Sequence, residues 1–422
     1  MADPAGRRRL RVLLSEGSST SAREAITALG LAGHTIEVCD PDRLCLARFS
    51  RFVHRLHHCP GLADDPEGFL AFVRDLVTRE RFDVLLPIHE QGYLFAKAQN
   101  DLSPHVALAL PSFSNYACAH SKAGFSTLLS ELGLPQPRTT FATSPPELRA
   151  GHFPVVLKSA LGTASRGTFI VRDAAELERA LAGFVARGAF ADSVLIQEFV
   201  AGPVEHAQAV FCRGRLVAMH AYAQVARGAG GGPAAKVSVR RPVVRAHLAQ
   251  IGEHLAWHGA LSVDYIATED GPRYIDCNPR LVEPMSALLA GLDLTDLLLR
   301  VSLGETPEPL PESRAGVRTH LAMQALLGCA LDGGSRRNIF VECAHLMTRS
   351  GAYADSREEL TPARTDWPSM LPTAATAVML LADPRVARRL PERFGSHLLT
   401  PRANRIIHGM PDASPPAFSS AE

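Results

Sequence analysis

Short apolar runs alternate with longer amphipathic segments over the first hundred residues. Residues 10–14, 34–38 and 84–87 predict strands, whereas residues 21–31 and 69–78 predict helices. Strands that alternate with crossover helices form parallel sheets, so the pattern predicts an α/β fold. The loop after the first run lacks the GxGxxG spacing, and no dinucleotide site is predicted there.

The middle of the chain also mixes strands and helices. Short strands are predicted at residues 155–158, 169–171, 193–197, 205–211 and 216–222. Ser121 can cap a helix, which places Lys122 in a first helical turn. Asp173 and Glu176 form a capping box that opens another helix. The glycine-rich residues 227–233 predict a mobile loop.

Composition and charge exclude several classes of protein. The chain has 422 residues, of which 46% are hydrophobic and 21% charged, as in a globular protein of several domains. A net charge of +1 gives no strong field, and beyond residues 7–9 we see no basic patch for nucleic acid or an anionic membrane. No apolar run approaches the length of about 20 residues that a membrane helix needs. Eight scattered cysteines without a CxxC pair favour reduced thiols and a cytoplasmic location.

The basic residues are almost all arginines. Only four of the 44 are lysines, at Lys97, Lys122, Lys158 and Lys236. Because arginine fills the ordinary surface positions, a remaining lysine is a better candidate for a site that needs a compact ammonium group.

A predicted hairpin carries the most informative chemistry. Residues 259–266 and 273–280 flank an Asp-Gly turn, and a turn centred on Asp270 would set Asp264 opposite Asp276. Asn278 would lie on the same face as Asp276 because side chains alternate along a strand. Like charges at that separation repel, and a divalent cation would remove the repulsion, since Mg²⁺ prefers oxygen ligands. An exposed acidic hairpin with a chance register is the alternative.

Two further segments fit a nucleotide. Lys158 ends a strand and precedes a loop of small residues that could cover phosphates, although a solvated turn is the commoner meaning of such a segment. Residues 197–200 and Glu205 suit an adenine edge and a ribose diol, or are an ordinary strand, turn and strand. Lys122 at a helix start would add to the positive end of the helix dipole and favour an anion.

Taken together, these motifs resemble the ATP-grasp superfamily, the fold of biotin carboxylase and D-alanine:D-alanine ligase. The resemblance spans roughly residues 10–305 and rests on an ordered set: Lys122, Lys158 with its loop, Gln197-Glu198-Phe199-Val200, Glu205, Asp264 and Asp276-Cys277-Asn278-Pro279-Arg280. It implies an ATP-dependent ligase that forms ADP, converts a carboxylate to an acyl phosphate and couples it to an amine. Both candidate metal-binding acids are Asp, where Glu is common in the family.

The resemblance also implies roles for individual residues. ATP phosphates would be held by Lys122, Lys158, Gly162, Thr163, Ser165 and Gly167, adenine by Gln197, Glu198, Phe199 and Val200, ribose by Glu205, and Mg²⁺ by Asp264, Asp276 and Asn278. Arg280 would steady the transferring phosphoryl group and the acyl phosphate. Lys236 has no firm family role. We expect it to meet the γ-phosphate or the substrate carboxylate when residues 227–236 close, with a solvated lysine as the alternative.

Three other features leave alternatives open. Glu90 would face the cleft and touch substrate, or cap a helix. Glu283 would bind the amine substrate, or be a solvated acid, which is slightly favoured. The histidines at 54, 57 and 58 with Cys59 fit no usual zinc spacing, and a surface segment is strongly favoured there.

The resemblance predicts the first two domains, and a proline-rich linker from about Thr306 marks off the rest. Residues 1–112 form an amino-terminal Rossmann-like α/β domain, residues 113–305 the ATP-grasp domain with a small lid at about 140–200, residues 306–410 a mainly helical region, and residues 411–422 a disordered tail. The expected partners are small, amino acid-like carboxylates and amines, in specialised metabolism for example, and a homodimer is expected from fold analogy alone. Two alternatives stay open: an ATP-grasp enzyme with an acceptor other than an amine, and a nucleotide-binding regulatory protein without turnover.

Overall fold

The structure is a computed structural model that describes residues 8–149, 151–162, 167–360, 364–389 and 395–411. Thr163 and Ser165 of the predicted phosphate loop, and most of the predicted disordered tail, lie outside the described residues.

The amino-terminal part contains a parallel sheet with the strand order β3-β2-β1-β4. Its strands are β1 (Arg11–Leu14), β2 (Thr35–Asp40), β3 (Val53–His58) and β4 (Val84–Leu86), and its crossover helices are α1 (Thr20–Leu31) and α2 (Pro66–Glu80). The predicted α/β opening is therefore confirmed. Strand β3 was missed because its sequence VHRLHH is polar, as suits a strand at the edge of the sheet. Within it, His57 is buried and bonds Glu37 at 2.7 Å.

Short helices lead from this sheet to the centre of the chain. They are α3 (Gln91–Lys97), α4 (Gln99–Leu102), α5 (Phe113–His120) and α6 (Lys122–Glu131). Helix α6 begins where the sequence predicted, because the Ser121 side chain accepts a hydrogen bond from the backbone N–H of Gly124. This cap fixes Lys122 as the first residue of the helix.

A small antiparallel sheet with the order β5-β8-β6-β7 follows. It consists of β5 (Thr139–Ala142), β6 (Val155–Ser159), β7 (Thr168–Val171) and β8 (Val194–Glu198), and α7 (Ala174–Ala186) packs on one face. Asp173 caps α7, as predicted. Leu157, Val171 and Phe184 belong to the small core between this sheet and its helix.

The central sheet is mostly antiparallel and has the order β13-β12-β9-β10-β11-β14-β15. Its strands are β9 (Val204–Cys212), β10 (Arg215–Arg227), β11 (Pro233–Val239), β12 (Gly259–Thr268), β13 (Gly271–Asn278), β14 (Arg318–His320) and β15 (Arg357–Glu358). Helix α8 (Pro242–His254) packs on one face. Helices α9 (Pro284–Leu289) and α10 (Leu294–Ser302) join the sheet to α1.

The described residues after 306 are mainly helical. They form α11 (Ala322–Leu331), α12 (Arg336–Thr348), α13 (Leu371–Ala382) and α14 (Pro401–Gly409). Strands β14 and β15 nevertheless belong to the central sheet, so the predicted boundary at residue 305 falls within a continuous structural unit. Helix α14 returns to pack on α2 and α3.

No helix within the described ranges has the length and apolar character needed to cross a membrane. All eight cysteines lie in those ranges and are free thiols.

Candidate nucleotide and metal site

The two acids of the predicted hairpin are directly paired. Asp264 of β12 lies opposite Asp276 of β13, and Ser262 lies opposite Asn278. Nearer the turn the pairing shifts by one residue, since Tyr265 lies opposite Tyr274. Ile275 is therefore left without a partner in the ladder, which is a β-bulge.

The bulge provides an acceptor for a lysine of the small sheet. The Lys158 ammonium group donates a 2.8 Å hydrogen bond to the Ile275 carbonyl. Burial lowers the pKa of Lys158 to about 8, although Asp276 and Asp264 oppose the shift. Lys158 is thus a buried cation held between the two sheets, next to the paired acids.

Lys122 reaches the same place from the start of α6. Its ammonium nitrogen lies 3.0 Å from Oδ1 of Asp276 and donates a 2.8 Å hydrogen bond to the Gly162 carbonyl. Its backbone N–H donates to the Ala160 carbonyl at 2.8 Å. Two of the four lysines and two paired carboxylates thus meet where the small sheet faces the hairpin.

Asp264 has a partner that the sequence did not reveal. His206 of β9 lies opposite it in the sheet, and the Nδ1 atom of His206 is 2.6 Å from Oδ1 of Asp264. Burial by itself would raise the pKa of Asp264, but His206, and beyond it Lys122 and Arg280, outweigh burial and lower the pKa. The carboxylate is therefore held in its charged form. Nε2 of His206 is buried and has no hydrogen-bond partner among the described residues.

Arg280 completes this group at the end of the hairpin. Its guanidinium donates to Oδ1 of Asn278 at 3.2 Å, and its backbone N–H donates to the Asn278 carbonyl at 2.7 Å. Burial lowers the pKa of Arg280, whereas nearby Glu90 and Asp264 raise it. Glu90 is buried and accepts a hydrogen bond from the Leu399 backbone N–H, so this predicted cleft residue binds the carboxy-terminal region.

The predicted adenine segment lies at the end of β8. Gln197 is buried and donates to the Thr139 hydroxyl at 2.9 Å, whereas Glu198 is partly exposed and 3.3 Å from Arg138. Phe199 is 38% exposed, so this segment presents an apolar surface to solvent. Val200 follows Phe199 just beyond the end of β8.

Two glycines flank the undescribed part of the phosphate loop. Gly162 lies two residues after Ala160, whose carbonyl accepts a hydrogen bond from the Lys122 backbone N–H. Gly167 lies directly before β7. Gly167 has a φ of +82°, and a Cβ there would clash with the Ser159 hydroxyl. Glycine is needed there because the backbone folds closely over the end of β6.

Glu205, predicted to bind ribose, lies on the other face of the central sheet. Glu205 pairs with Tyr265 and Ala223, whereas the next residue, His206, pairs with Asp264. Side chains alternate along a strand, so Glu205 and His206 point to opposite faces. Its carboxylate accepts a 2.7 Å hydrogen bond from Nε of Arg241 and a 2.9 Å bond from the Tyr265 hydroxyl. Glu205 is therefore engaged on the face away from Asp264, which does not favour the predicted ribose contact.

Lys236 lies within β11 rather than on a loop. The sequence PAAKVSV pairs with β10 and β14, so the glycine-rich part is confined to a short turn at residues 228–232. Lys236 is fully buried and binds Glu283 and Glu359, the latter at 2.8 Å. The alternative of a solvated lysine is therefore excluded, and Glu283 is not a solvated acid.

Sequence reasoning missed His206, Tyr222, Glu24 and Glu359. His206 and Tyr222 are neighbours across β9 and β10, and their rings stack with centroids 5.0 Å apart. The pairing of β9 with β12 could not be read from the chain because some fifty residues separate the two strands. Only the alternation within β9 hinted that His206 faces away from the core.

Known proteins support the fold. No family model matches the chain. The chain is 26% identical over 213 residues to the carbamoyl phosphate synthase large chain of Thermus thermophilus, covering 47% of this chain and 21% of that one. The chain thus spans about a fifth of the length of this curated relative.

Two solved structures share most of the architecture. The biotin carboxylase domain of Hydrogenobacter thermophilus 2-oxoglutarate carboxylase, in complex with MgADP, ADP and bicarbonate, superimposes with a TM-score of 0.56 at 15% identity over 74% of each chain. The L-amino acid ligase of Bacillus licheniformis gives a TM-score of 0.55 at 15% identity over 72% of this chain and 76% of that one. The chain has the ATP-grasp fold, as its motifs predicted.

Proposed function

We propose that the protein is an ATP-dependent ligase that activates a carboxylate as an acyl phosphate, couples it to an amine and releases ADP and phosphate. The observation that carries this proposal is the meeting of Lys122, Lys158, Asp264 and Asp276 between two sheets. The two positively charged ammonium groups complement the negative phosphates of a nucleotide. The two acids complement the divalent cation that accompanies those phosphates.

The donor atoms fit Mg²⁺. Asp264, Asp276 and Asn278 lie on one face of the hairpin and offer the hard oxygen ligands that this ion prefers. The Lys122 ammonium group lies 3.0 Å from Asp276, so this carboxylate already has a cationic partner. When bound, Mg²⁺ would neutralise phosphate charge, and the three side chains would hold it.

The protein's own groups would act mainly by position and charge. Lys122 and Lys158 would bind the phosphates, and Arg280 would bind the carboxylate oxygen that attacks the γ-phosphorus. The bond from that phosphorus to the bridging oxygen of ADP breaks as the acyl phosphate forms. The amine then attacks the acyl carbon, loses a proton and expels phosphate.

Formation of ADP in the presence of candidate substrates tests this function. ADP is measured against panels of carboxylic acids, bicarbonate included, with and without an amine pool. We expect ADP formation that depends on a carboxylate, and Asp276→Asn should reduce it at least 100-fold. Asp270→Asn, on the exposed turn of the same hairpin, is the matched control and should keep full activity.

Two outcomes would oppose the proposal. Substrate-dependent ADP formation that survives Asp276→Asn would remove the role of the paired acids. ADP formation with bicarbonate as the only effective acid would favour a carboxylating enzyme, whose acceptor need not be an amine.

A further inference from the structure

A buried ionic cluster lies at the junction of the amino-terminal sheet, the central sheet and the carboxy-terminal region. Its members are Lys236 of β11, Glu283 before α9, Glu359 after β15 and Glu24 of α1. The carboxylates of Glu283 and Glu359 both bind Lys236. Glu24 has these three groups as its electrostatic neighbours. Junctions between domains are preferred places for small-molecule sites.

The cluster has more acidic groups than basic groups. Three carboxyl groups share one ammonium group, and the adjacent His220 is kept neutral because burial lowers its pKa to about 3. Burial raises the pKa of Glu24 well above its usual value and that of Glu359 to about 6, so these acids ionise fully only when a further cation is present. A further cation would relieve this imbalance, since buried carboxylates are stable only when they are paired.

Three buried acceptor atoms in or beside this cluster lack donors among the described residues: Oε1 of Glu24, Oε1 of Glu359 and Oε1 of the neighbouring Gln208. Oε1 of Glu24 has no hydrogen-bond partner among the described residues, although Oε2 accepts from the Met285 backbone N–H at 3.0 Å. Oε1 of Gln208 is likewise buried and unpartnered within the described chain, while its amide nitrogen donates to the Glu283 carbonyl at 2.7 Å. All three atoms are acceptors, so the group that fits them is a hydrogen-bond donor.

The cluster adjoins the site where the carboxylate would react. Tyr222 links the two, because Lys236 lies 4.9 Å from the centre of its ring and His206, the partner of Asp264, stacks on it. Glu283 follows Arg280 by three residues. It is also the member that keeps contact with solvent, with 8% of its side chain exposed against 0% for Lys236 and Glu359.

We infer that this cluster binds an ammonium group of the carboxylate substrate, so that the acid activated by the enzyme is an amino acid. An ammonium group carries one positive charge and three donors, which suits the unpartnered oxygens of Glu24, Glu359 and Gln208. A divalent ion would bring two positive charges beside the Lys236 ammonium group, and it has no hydrogen-bond donors for the unpartnered oxygens.

The chemistry assigns the ammonium to the acid and not to the nucleophile. Ionised carboxylates stabilise the protonated form of an amine, and a protonated amine has no lone pair with which to attack an acyl phosphate. The bound ammonium therefore belongs to the molecule whose carboxylate is phosphorylated. This inference rests on the proposed ligase function.

Matched acids with and without an amino group test the inference. The pairs are glycine and acetate, β-alanine and propanoate, 4-aminobutanoate and butanoate, and 6-aminohexanoate and hexanoate, extended by L-amino acids and their deaminated counterparts. Hydroxylamine, which is mostly neutral at pH 7.5, serves as a common nucleophile and converts an acyl phosphate to a hydroxamate plus phosphate. We expect at least a tenfold higher kcat/KM for the amino member of one pair or more, and the preferred chain length gives the distance between the two subsites.

Substitutions in the cluster test whether it causes the preference for amino acids. Glu24→Gln should raise the KM for the preferred amino acid at least tenfold and leave the KM for its deaminated partner and for ATP unchanged. Glu359→Gln is a second, equally conservative variant, and Glu67→Gln on the exposed start of α2 is the control. Thermal melting confirms that each variant is folded.

The outcomes are distinct. The inference would be overturned by equal rates for the two members of every pair, or by a preference that survives in both cluster variants. Either result would leave the ligase function intact and would mean that protons alone balance the charge of the cluster. Absence of hydroxamate from every acid with wild-type protein would reject the proposed function itself and this inference with it.

Discussion

The Lys158 ammonium group binds the carbonyl of Ile275, the residue that the β12–β13 ladder leaves unpaired. A regular ladder would have used that carbonyl for pairing. The bulge thus frees an acceptor next to Asp276 and fixes a cation of the small sheet against the candidate metal ligands. Bulges often lie beside functional sites for this reason, since they redirect groups that a regular strand would engage.

The first prediction concerns the charge of Lys158. Its pKa is lowered to about 8, below the usual value for lysine, so the ammonium form is lost as the pH rises through about 8. Affinity for ADP measured without metal should therefore fall between pH 7 and pH 9. Lys158→Met should weaken binding at pH 7 by about tenfold and abolish this part of the pH dependence. A decline of the same size in the variant would mean that another group titrates.

The second prediction concerns His206. Its hydrogen bond to Asp264 orients the carboxylate and stabilises its charged form, as partners of metal ligands commonly do. His206→Ala should raise the Mg²⁺ concentration needed for half-maximal binding of ADP by about 10-fold or more, and His206→Asn, which keeps a donor, should restore part of the loss. His254→Ala, on an exposed part of α8, is the control. An unchanged Mg²⁺ requirement in His206→Ala would exclude a positioning role.

The third prediction concerns the stability of the buried cluster. Lys236→Met leaves Glu283 and Glu359 without their cation and should lower the free energy of unfolding by about 3 to 5 kcal/mol in urea. The double variant Lys236→Met with Glu359→Gln removes one of the stranded charges and should lose less than the single variant. Equal or larger loss in the double variant would show that the pair is not the source of the effect.

The fourth prediction separates the two faces of the central sheet. The Glu205 carboxylate is held by Arg241 and Tyr265 on the face opposite Asp264. Glu205→Gln should destabilise the protein by about 1 to 3 kcal/mol, the usual loss for a buried charged hydrogen bond. It should leave the ratio of affinities for ADP and 2′-deoxy-ADP unchanged. A selective loss of ADP binding would instead support the ribose contact that the motif implies.

The hairpin shows how far the sequence could predict the site. The opposition of Asp264 and Asp276 was predicted from a turn centred on Asp270, and the structure has that pairing. The turn in fact pairs Thr268 with Gly271, so its centre lies half a residue before Asp270. The bulge at Ile275 then shifts the pairing by one residue, and Asp264 faces Asp276 as a result. The predicted pairing is thus correct although its assumed geometry is not, because a bulge leaves no clear mark in the sequence.

Groups brought together by tertiary structure were harder to predict. Glu24, Glu283 and Glu359 meet through packing of α1 and through β15, and no local pattern links these three positions. Lysine scarcity did single out Lys122, Lys158 and Lys236, and each has a carboxylate or carbonyl partner in the interior. The scarcity argument depends on residue chemistry and not on register.

Calorimetric titration with ADP, in the presence and absence of Mg²⁺, tests most directly whether the paired acids and lysines form a nucleotide site. The account predicts that wild-type protein binds ADP more tightly with Mg²⁺, that Asp276→Asn loses this dependence and that Asp270→Asn retains it. Binding of ADP that is equally strong with and without Mg²⁺, and unchanged in Asp276→Asn, would contradict the account.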